Sequence, residues 1–201
     1  MILPYLRTIS GHIKSMKVNY RSSAKKVINL EIEALRKLKN SLNNNFDKAV
    51  NTIINCQSKI ILCGVGKSGL IASKIASTLS SIGCPAFSLS ANDCLHGDLG
   101  SISRNDVLIL ISNSGNSEEL APIIKFANRN KIKIIGIVSK KNSTLYRGSD
   151  IKILLPEVRE AGLDIVPTSS TSMQLAIGDA LAVVCLNKRK FSKYDFSKLH
   201  P

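Results

Sequence analysis

The chain has 201 residues, of which 44% are apolar and 21% are charged. This is the composition of a folded globular domain, and it excludes disorder as the main state. No run approaches the roughly 18 apolar residues of a membrane-spanning helix, and Pro4 and Arg7 interrupt any signal-peptide core. Five cysteines without a close-spaced pair exclude a zinc ribbon or a disulfide framework. We therefore expect a cytoplasmic protein without a membrane partner.

The net charge of +14 would suit a nucleic-acid-binding protein. The lysines, however, are spread along the whole chain, and the only aromatic residues are four Tyr and five Phe. No basic run is interleaved with the stacking residues of a single-strand binder. Lys, Ile and Asn all have A+T-rich codons, so genome composition explains the basicity better, and we expect no nucleic-acid partner.

The first part of the chain divides into an arm and a helical region. Residues 1–22 are basic and weakly patterned, and we interpret them as an N-terminal arm of a domain that spans 23–201. Apolar residues then recur three or four apart over 24–56, which predicts one or two helices with a break at Asn43–Asn45. Such helices either cover a sheet or pair subunits, and the pattern does not distinguish these roles.

Short apolar runs alternate with helical stretches over the rest of the chain. This alternation predicts an α/β domain in which helices cover both faces of a parallel sheet. The predicted strands are 59–63, 85–89, 107–111, 133–138 and 151–154. The predicted helices between and after them include 68–82, 118–130 and 171–186. Ligands bind at the carboxyl ends of strands in such sheets, so the loops that follow the strands are the candidate sites.

The loop after the first strand, Gly64–Gly69, matches the G-x-G-x-x-G pattern of dinucleotide-binding proteins. The second predicted strand, however, ends in Ser88-Leu-Ser90 without the acidic residue that binds a ribose. A Walker A loop is excluded because Ile61 occupies the position of its first glycine. The pattern still allows backbone N–H groups at a helix N-terminus to reach an anion.

Two further helix starts are rich in hydroxyl groups, at Ser112–Ser117 and at Thr168–Ser172. Ser and Thr are common N-caps, but a cap needs only one hydroxyl. Several O–H and N–H donors at a helix N-terminus suit a phosphate, which offers only acceptor oxygens. We interpret both loops as phosphate-binding. His96, Glu119 and Glu160, each taken alone, have ordinary structural explanations.

The combined motifs resemble the sugar isomerase (SIS) domain of bacterial arabinose 5-phosphate isomerases. The resemblance covers roughly residues 24–201. It rests on Gly64–Gly69, His96–Gly100, Ile111–Gly115, Pro167–Thr171, Gly178–Ala182 and Leu199–Pro201. It implies a three-layer sandwich with a five-stranded parallel sheet, a homotetramer, and a small sugar phosphate as the substrate. The implied reaction interconverts D-ribulose 5-phosphate and D-arabinose 5-phosphate through a cis-enediol, without a metal or another cofactor. Its product supplies 3-deoxy-D-manno-octulosonate for lipopolysaccharide.

The resemblance also assigns site residues. The catalytic set it implies is Lys67, Glu119, Glu160 and His200. The substrate-binding set it implies is Ser68, Gly83, Cys84, His96, Ser112, Asn113, Ser114, Ser117, Thr168, Ser169 and Ser170. A carboxylate within reach of C1 and C2 can move the proton between them, and Glu119 is our first choice for this base, with His200 as its rival.

The chain departs from the family's pattern in three ways. Members of the family usually continue past the His-Pro pair into two cystathionine β-synthase (CBS) modules, so we expect either a short form or a fragment. Ser90 replaces a histidine that can hold an inhibitory zinc in some relatives. The segment 160–167 is one residue shorter than usual.

Two other functions remain open on the sequence. One is the isomerisation of another sugar phosphate, such as sedoheptulose 7-phosphate, although the motif at His96–Gly100 argues against that enzyme. The other is a non-catalytic SIS module that senses a sugar phosphate, which would not need Lys67, Glu119 and His200 together. Dinucleotide binding ranks third.

Overall fold

A computed structural model describes residues 19–200. Its strands are β1 (Ile60–Gly64), β2 (Ala86–Ser90), β3 (Val107–Ser112), β4 (Lys133–Val138) and β5 (Ile151–Leu154). Its α-helices are α1 (Tyr20–Ser41), α2 (Asn44–Ile54), α3 (Lys67–Ser81), α4 (Ala91–Cys94), α5 (Leu120–Arg129), α6 (Thr144–Gly148), α7 (Ala161–Ile165), α8 (Ser169–Lys188) and α9 (Lys193–Leu199). A 3-10 turn covers Asp98–Ser101.

The first two helices follow the apolar pattern and differ from the prediction at one boundary. Asn19 caps α1 by accepting a hydrogen bond from the backbone N–H of Ser22, so α1 begins at Tyr20, within the predicted arm. Residues 1–18 of the predicted arm lie outside the described residues. α2 begins after Asn43, whose side chain caps it, and the predicted break between the two helices is confirmed.

The five strands form one parallel sheet in the order β2-β1-β3-β4-β5. The chain moves outward from β1 to β2 and then returns to the other side of β1 for β3. The boundary between β1 and β3 is therefore the topological switch point, where ligands of open α/β sheets bind. Gly64 at the end of β1 is level with Ile111 of β3, so the loops that follow these strands are neighbours.

Each strand is apolar on both faces, and this gives the domain two cores. On one face, Leu62 and Ile109 pack in a cluster with residues of α1, α2, α3 and α8. On the other face, Ile61 and Leu108 pack with residues of α5, and Leu145 of α6 closes that cluster. The predicted α/β three-layer sandwich is confirmed.

The helix α8 connects the two edges of the sheet. Its 20 residues correspond to a length of about 30 Å. By length and composition it is the one helix in residues 19–200 that could cross a membrane. Met173, Ile177 and Leu181, however, are fully buried in the core, and a Cβ on Gly178 would collide with Ile75 of α3. We conclude that α8 is a core helix of this fold.

Candidate active site

Two long helices begin at the switch point without a side-chain cap. α3 follows β1 directly, and its N-cap is Gly66, with a φ of +58°. α5 follows β3, and its N-cap is Glu119, whose side chain makes no capping bond within the described residues. The first N–H groups of a helix lack internal partners and carry the positive end of its dipole. Two such ends at neighbouring strands form a candidate site for an anion.

The loop between β3 and α5, called the serine loop below, contains both buried and exposed serine hydroxyls. The buried Ser112 Oγ accepts a hydrogen bond from the Gly115 N–H and lies 3.0 Å from Ser117 Oγ. Ser114 is exposed, and its Oγ accepts a 3.3 Å bond from the Asn116 N–H, which leaves its hydroxyl hydrogen available. Ser112 therefore shapes the loop, whereas Ser114 is free to meet a ligand.

Backbone donors supplement these hydroxyls. In the described part of the chain, the N–H groups of Ser117, Glu118 and Glu119 have no acceptor. The helix was predicted to begin at residue 118, but these residues form a turn and α5 begins at Leu120. The turn presents consecutive N–H groups near the Ser117 hydroxyl, which is the donor arrangement that an oxyanion requires.

The loop after β4 holds the serine loop in place. Asn113 Oδ1 accepts a 2.6 Å bond from Ser139 Oγ, and the Asn113 carbonyl accepts one from the Ser139 N–H. Asn116 Oδ1 accepts from the Thr144 N–H at 2.9 Å. Gly115 has a φ of +69° and lies against Ser143. These bonds hold the serine loop in one conformation. The side-chain oxygen of Asn113 is used within the chain, as the acceptor of the Ser139 hydroxyl.

The start of α8 differs from the starts of α3 and α5 because a carboxylate occupies it. Glu160 Oε2 accepts bonds from the Thr168 N–H at 2.8 Å and the Ser170 N–H at 3.2 Å, and Thr168 Oγ1 lies 3.3 Å away. Ser169 is fully buried. The donors predicted to bind phosphate in this loop therefore serve Glu160 or are inaccessible. Phosphate binding by Thr168, Ser169 and Ser170 therefore stays a prediction.

The contacts of Glu160 also determine its protonation. Burial acts to raise the pKa of the carboxyl group, but hydrogen bonds from Ser170 and Thr168 outweigh this effect, and the pKa of Glu160 lies below its ordinary value. A carboxylate whose Oε2 accepts several hydrogen bonds is a weaker base than a carboxylate without partners. Within its own chain, the contacts of Glu160 are those of a residue that holds the start of α8.

Three other predicted residues lie at the same edge of the sheet. Lys67 is the exposed first residue of α3, and Glu119 is half-buried before α5. His96 is exposed in the turn that follows α4. Within residues 19–200, neither the Lys67 ammonium nor the Glu119 carboxylate has an ion-pair or hydrogen-bond partner. Both charges are therefore available to a ligand.

Three predicted site residues lie at the opposite, amino edge of the sheet. Gly83 and Cys84 precede β2, and Arg189 after α8 donates a 2.6 Å bond to the Gly83 carbonyl and lies 2.9 Å from Cys84 Sγ. His200 follows α9, stacks on Phe196 with ring centroids 3.8 Å apart, and is exposed. Within one chain these residues lie away from the serine loop, and their predicted roles in the site stay predictions.

A cavity of about 460 Å³ opens beside the start of α3, between the ends of β1 and β2. Its polar lining includes the hydroxyls of Ser73 and Ser90 and the carboxylates of Asp93 and Asp98. A cavity of about 510 Å³ lies at the amino edge, near Arg104, away from the serine loop. The sequence interpretation missed the carboxylates, because nothing in the motif indicates that they face the glycine loop.

Sequence reasoning also missed Gln174, which lies one turn into α8. Its Oε1 accepts a 3.1 Å hydrogen bond from Ser68 Oγ in the first turn of α3, and its side chain is 1% exposed. The signal in the sequence was its spacing: Gln174 lies four residues after Ser170 and three before Ile177, so it is a polar residue on the buried face of the helix.

Comparison with known proteins shows the family of this chain. The family model described as "SIS domain" matches residues 53–184. The arabinose 5-phosphate isomerase KdsD of Francisella tularensis is 44% identical over 184 residues, and that of Yersinia pestis is 40% identical over 185. These stretches are 90% and 92% of this chain but 56% of each relative, so the chain spans little more than half of their length.

A solved structure is similar over almost its whole length. The structure of the E. coli CFT073 protein c3406, in complex with arabinose 5-phosphate, superposes with a TM-score of 0.87 and 32% identity. The match covers 90% of this chain and 97% of that chain. The predicted resemblance to arabinose 5-phosphate isomerases is confirmed.

Proposed function

The chain belongs to the SIS domain family, and from this premise we propose that it is an isomerase of a five-carbon sugar phosphate. The observation that carries the proposal is the pair of uncapped helix starts, of α3 and α5, at the switch point. Together with Ser114 and Ser117, they offer a phosphate backbone N–H donors, hydroxyl donors and two positive dipole ends. The arabinose 5-phosphate complex of the similar E. coli protein supports a ligand of this class.

The proposed reaction interconverts D-ribulose 5-phosphate and D-arabinose 5-phosphate. With the phosphate at the two helix starts, the pentose carbons extend along the same edge, where Lys67 and Glu119 begin their helices. A carboxylate removes the proton next to the carbonyl and returns it to the adjacent carbon of the cis-enediol. The Lys67 ammonium stabilises the developing enediolate oxygen. His96, in the neighbouring turn, orients a sugar hydroxyl.

Glu119 suits the base better than Glu160 does. The Glu119 carboxylate has no partner in residues 19–200, whereas the Glu160 carboxylate accepts bonds from the loop at the start of α8. His200 is the rival base, and because it lies at the far edge in its own chain, it reaches this site only from another subunit. We propose a cytoplasmic homotetramer whose product supplies 3-deoxy-D-manno-octulosonate for lipopolysaccharide.

The direct test incubates the protein with D-ribulose 5-phosphate, with a chelator and without added nicotinamide cofactor, and identifies the aldose product. We expect D-arabinose 5-phosphate. Formation of a different aldose phosphate would show that the enzyme acts on another sugar. Tight binding of the sugar phosphate without turnover would instead identify a sensor.

The matched variant is Glu119→Gln, which keeps the shape of the side chain and removes the base. We expect kcat to fall by about 10²–10⁴ with a modest change in KM. Glu118→Gln, on the preceding exposed residue, is the control for the loss of one negative charge from this turn. Near-normal turnover of the Glu119 variant would transfer the role of the base to His200 or Glu160.

A further inference from the structure

The hydrogen bond between α3 and α8 leaves one polar group unpaired. Gln174 receives the Ser68 hydroxyl hydrogen on Oε1, while its Nε2 is buried and has no partner within the described residues. A buried donor without an acceptor is destabilising relative to a paired one. An apolar side chain would fill the same space without this cost.

The two possible orientations of the amide give Ser68 opposite hydrogen-bonding properties. A hydroxyl has one hydrogen and two lone pairs, whereas an amide has a donor end and an acceptor end. When Oε1 faces Ser68, the hydroxyl hydrogen is used by Gln174 and Ser68 can only accept. When the amide is turned by 180°, Nε2 donates to Ser68 Oγ and the hydroxyl hydrogen becomes available. The two orientations occupy almost the same space.

The location of Ser68 makes this difference relevant to binding. Ser68 is the second residue of α3, whose uncapped start faces the switch point. A phosphate accepts hydrogen bonds and donates few or none near neutral pH. Ser68 can therefore bind a phosphate oxygen through its hydroxyl only in the orientation in which Gln174 donates. In that orientation Nε2 has Ser68 Oγ as its partner, and Oε1 takes the unpaired position.

We propose that Gln174 is a positioning residue that directs the Ser68 hydroxyl hydrogen towards the phosphate of the substrate. The proposal rests on the proposed function in placing that phosphate at the start of α3. Ligand binding turns the amide, so that Nε2 donates to Ser68 Oγ and Ser68 donates to the phosphate. Gln174 itself does not touch the substrate.

The test is a double-mutant cycle on binding of D-arabinose 5-phosphate, measured by titration calorimetry with Ser68→Ala, Gln174→Met and the double variant. Met fills a similar volume and makes no strong hydrogen bond. We expect Gln174→Met to weaken binding by about three- to tenfold in the wild-type background. In the Ser68→Ala background we expect no further loss, because the group that Gln174 orients is gone. Inorganic phosphate, used as a competing ligand, should show the same pattern.

Two controls separate positioning from packing. Met173→Leu alters an equally buried neighbour on α8 that has no bond to Ser68, and we expect it to leave binding unchanged. Gln174→Glu replaces the amide by a group that, when ionised, only accepts. It should therefore weaken binding at least as much as Ser68→Ala does, and it serves as the second probe if the Met variant does not fold.

Additive losses in the cycle, or unchanged binding by Gln174→Glu, would overturn the proposal. So would a wild-type protein that binds neither D-arabinose 5-phosphate nor phosphate. Failure of the proposed function has a different signature, because a wild-type protein that binds the sugar phosphate without isomerising it still gives the full binding cycle. An intact isomerase without coupling between residues 68 and 174 would remove only this inference.

Discussion

At the scale of single residues, hydroxyls of the same loop have different tasks because their partners differ. Ser112 Oγ is buried and accepts a backbone bond, whereas Ser114 Oγ is exposed with its hydrogen available. A buried hydrogen bond stabilises the folded chain, and its removal leaves the other buried group without a partner. An exposed donor contributes little to stability until a ligand arrives.

This contrast gives a matched pair of variants. Ser112→Ala leaves the buried Gly115 N–H without its acceptor, so we expect the free energy of unfolding to fall by about 1–3 kcal/mol. Ser114→Ala should change it by less than about 0.5 kcal/mol and should raise KM severalfold with kcat nearly unchanged, because a phosphate contact acts equally in ground and transition states. Urea unfolding and steady-state kinetics measure both effects. An unchanged KM for Ser114→Ala would separate the loop from the phosphate.

The lowered pKa of Glu160 predicts a pH dependence of stability. Folding lowers the pKa of this carboxyl group from its ordinary value of 4.5, so its stabilisation is present above pH 4.5 and is lost as the pH falls through the folded pKa. Glu160→Gln removes the charge at the start of α8 and should lower the free energy of unfolding by roughly 0.5–1 kcal/mol at pH 7. The difference between wild type and variant should shrink below pH 4.5.

The control for this measurement is Glu157→Gln, which removes an exposed carboxylate that pairs with Lys140 in the same part of the chain. Because surface ion pairs contribute little, its effect at pH 7 should be smaller than that of Glu160→Gln. A Glu160 difference that stays constant down to pH 3 would contradict the assigned role.

At the scale of elements, the starts of α3 and α5 differ from the start of α8 in what their backbone N–H groups bond to. α8 begins with a carboxylate of its own chain in place, whereas α3 and α5 begin at the switch point without a side-chain cap. A folded protein gains stability from capping each helix, so the uncapped starts of α3 and α5 are consistent with the proposed phosphate, which would supply the missing acceptors. The two helices α3 and α5 follow the neighbouring strands β1 and β3, whereas α8 does not follow a strand directly.

The loop that joins β3 to α5 should tolerate no side chain at Gly115. Its φ of +69° favours glycine, and an added Cβ would overlap Ser143 and Val138. We expect Gly115→Ala to lower the free energy of unfolding by about 2–4 kcal/mol, as the sum of overpacking and backbone strain, and to weaken phosphate binding. Gly100→Ala, where an added Cβ meets no neighbour, should have little effect. Thermal unfolding with and without phosphate measures both; a stable Gly115→Ala that binds phosphate normally would show that the loop relaxes.

At the scale of the whole molecule, α8 separates the predicted catalytic residues. It begins near Ser68 at the carboxyl edge and ends at the amino edge, where Arg189 binds the Gly83 carbonyl. The seven residues of α9 add only about 10 Å, too short a path for His200 to return to Glu119. A site that uses both residues must therefore be shared between subunits.

We predict complementation between inactive subunits. Glu119→Gln and His200→Ala chains, dissociated and reassembled together, should regain part of the activity, because some sites receive an intact carboxylate from one chain and an intact imidazole from another. Mixing Glu119→Gln with Lys67→Ala is the control: both residues start helices at one edge of the same chain, so no mixed site is whole. Absence of recovery in the first mixture, with subunit exchange demonstrated, would refute the shared site.

The sequence by itself determined the layers, the five strands and the edge that carries chemistry. Apolar runs of strand length, alternating with helical periodicity, are local signals of burial, and burial on both faces dictates a covered parallel sheet. The motifs then placed Lys67, Glu119 and His96 in loops that share one edge, because parallel strands all end on the same side. These conclusions depend only on neighbours along the chain.

Only the tertiary structure decided which polar groups are free. Glu160 takes the donors of the loop that begins α8, Ser68 bonds to a residue 106 positions away, and His200 lies at the far edge. Tertiary packing determines which groups can form hydrogen bonds with each other. The identity of a serine in the sequence therefore does not show whether its hydroxyl hydrogen is already bonded or is available. The serines of residues 112–117 and 168–172 look alike for this reason, and only their three-dimensional neighbours show which hydroxyls are exposed and which are bonded within the chain.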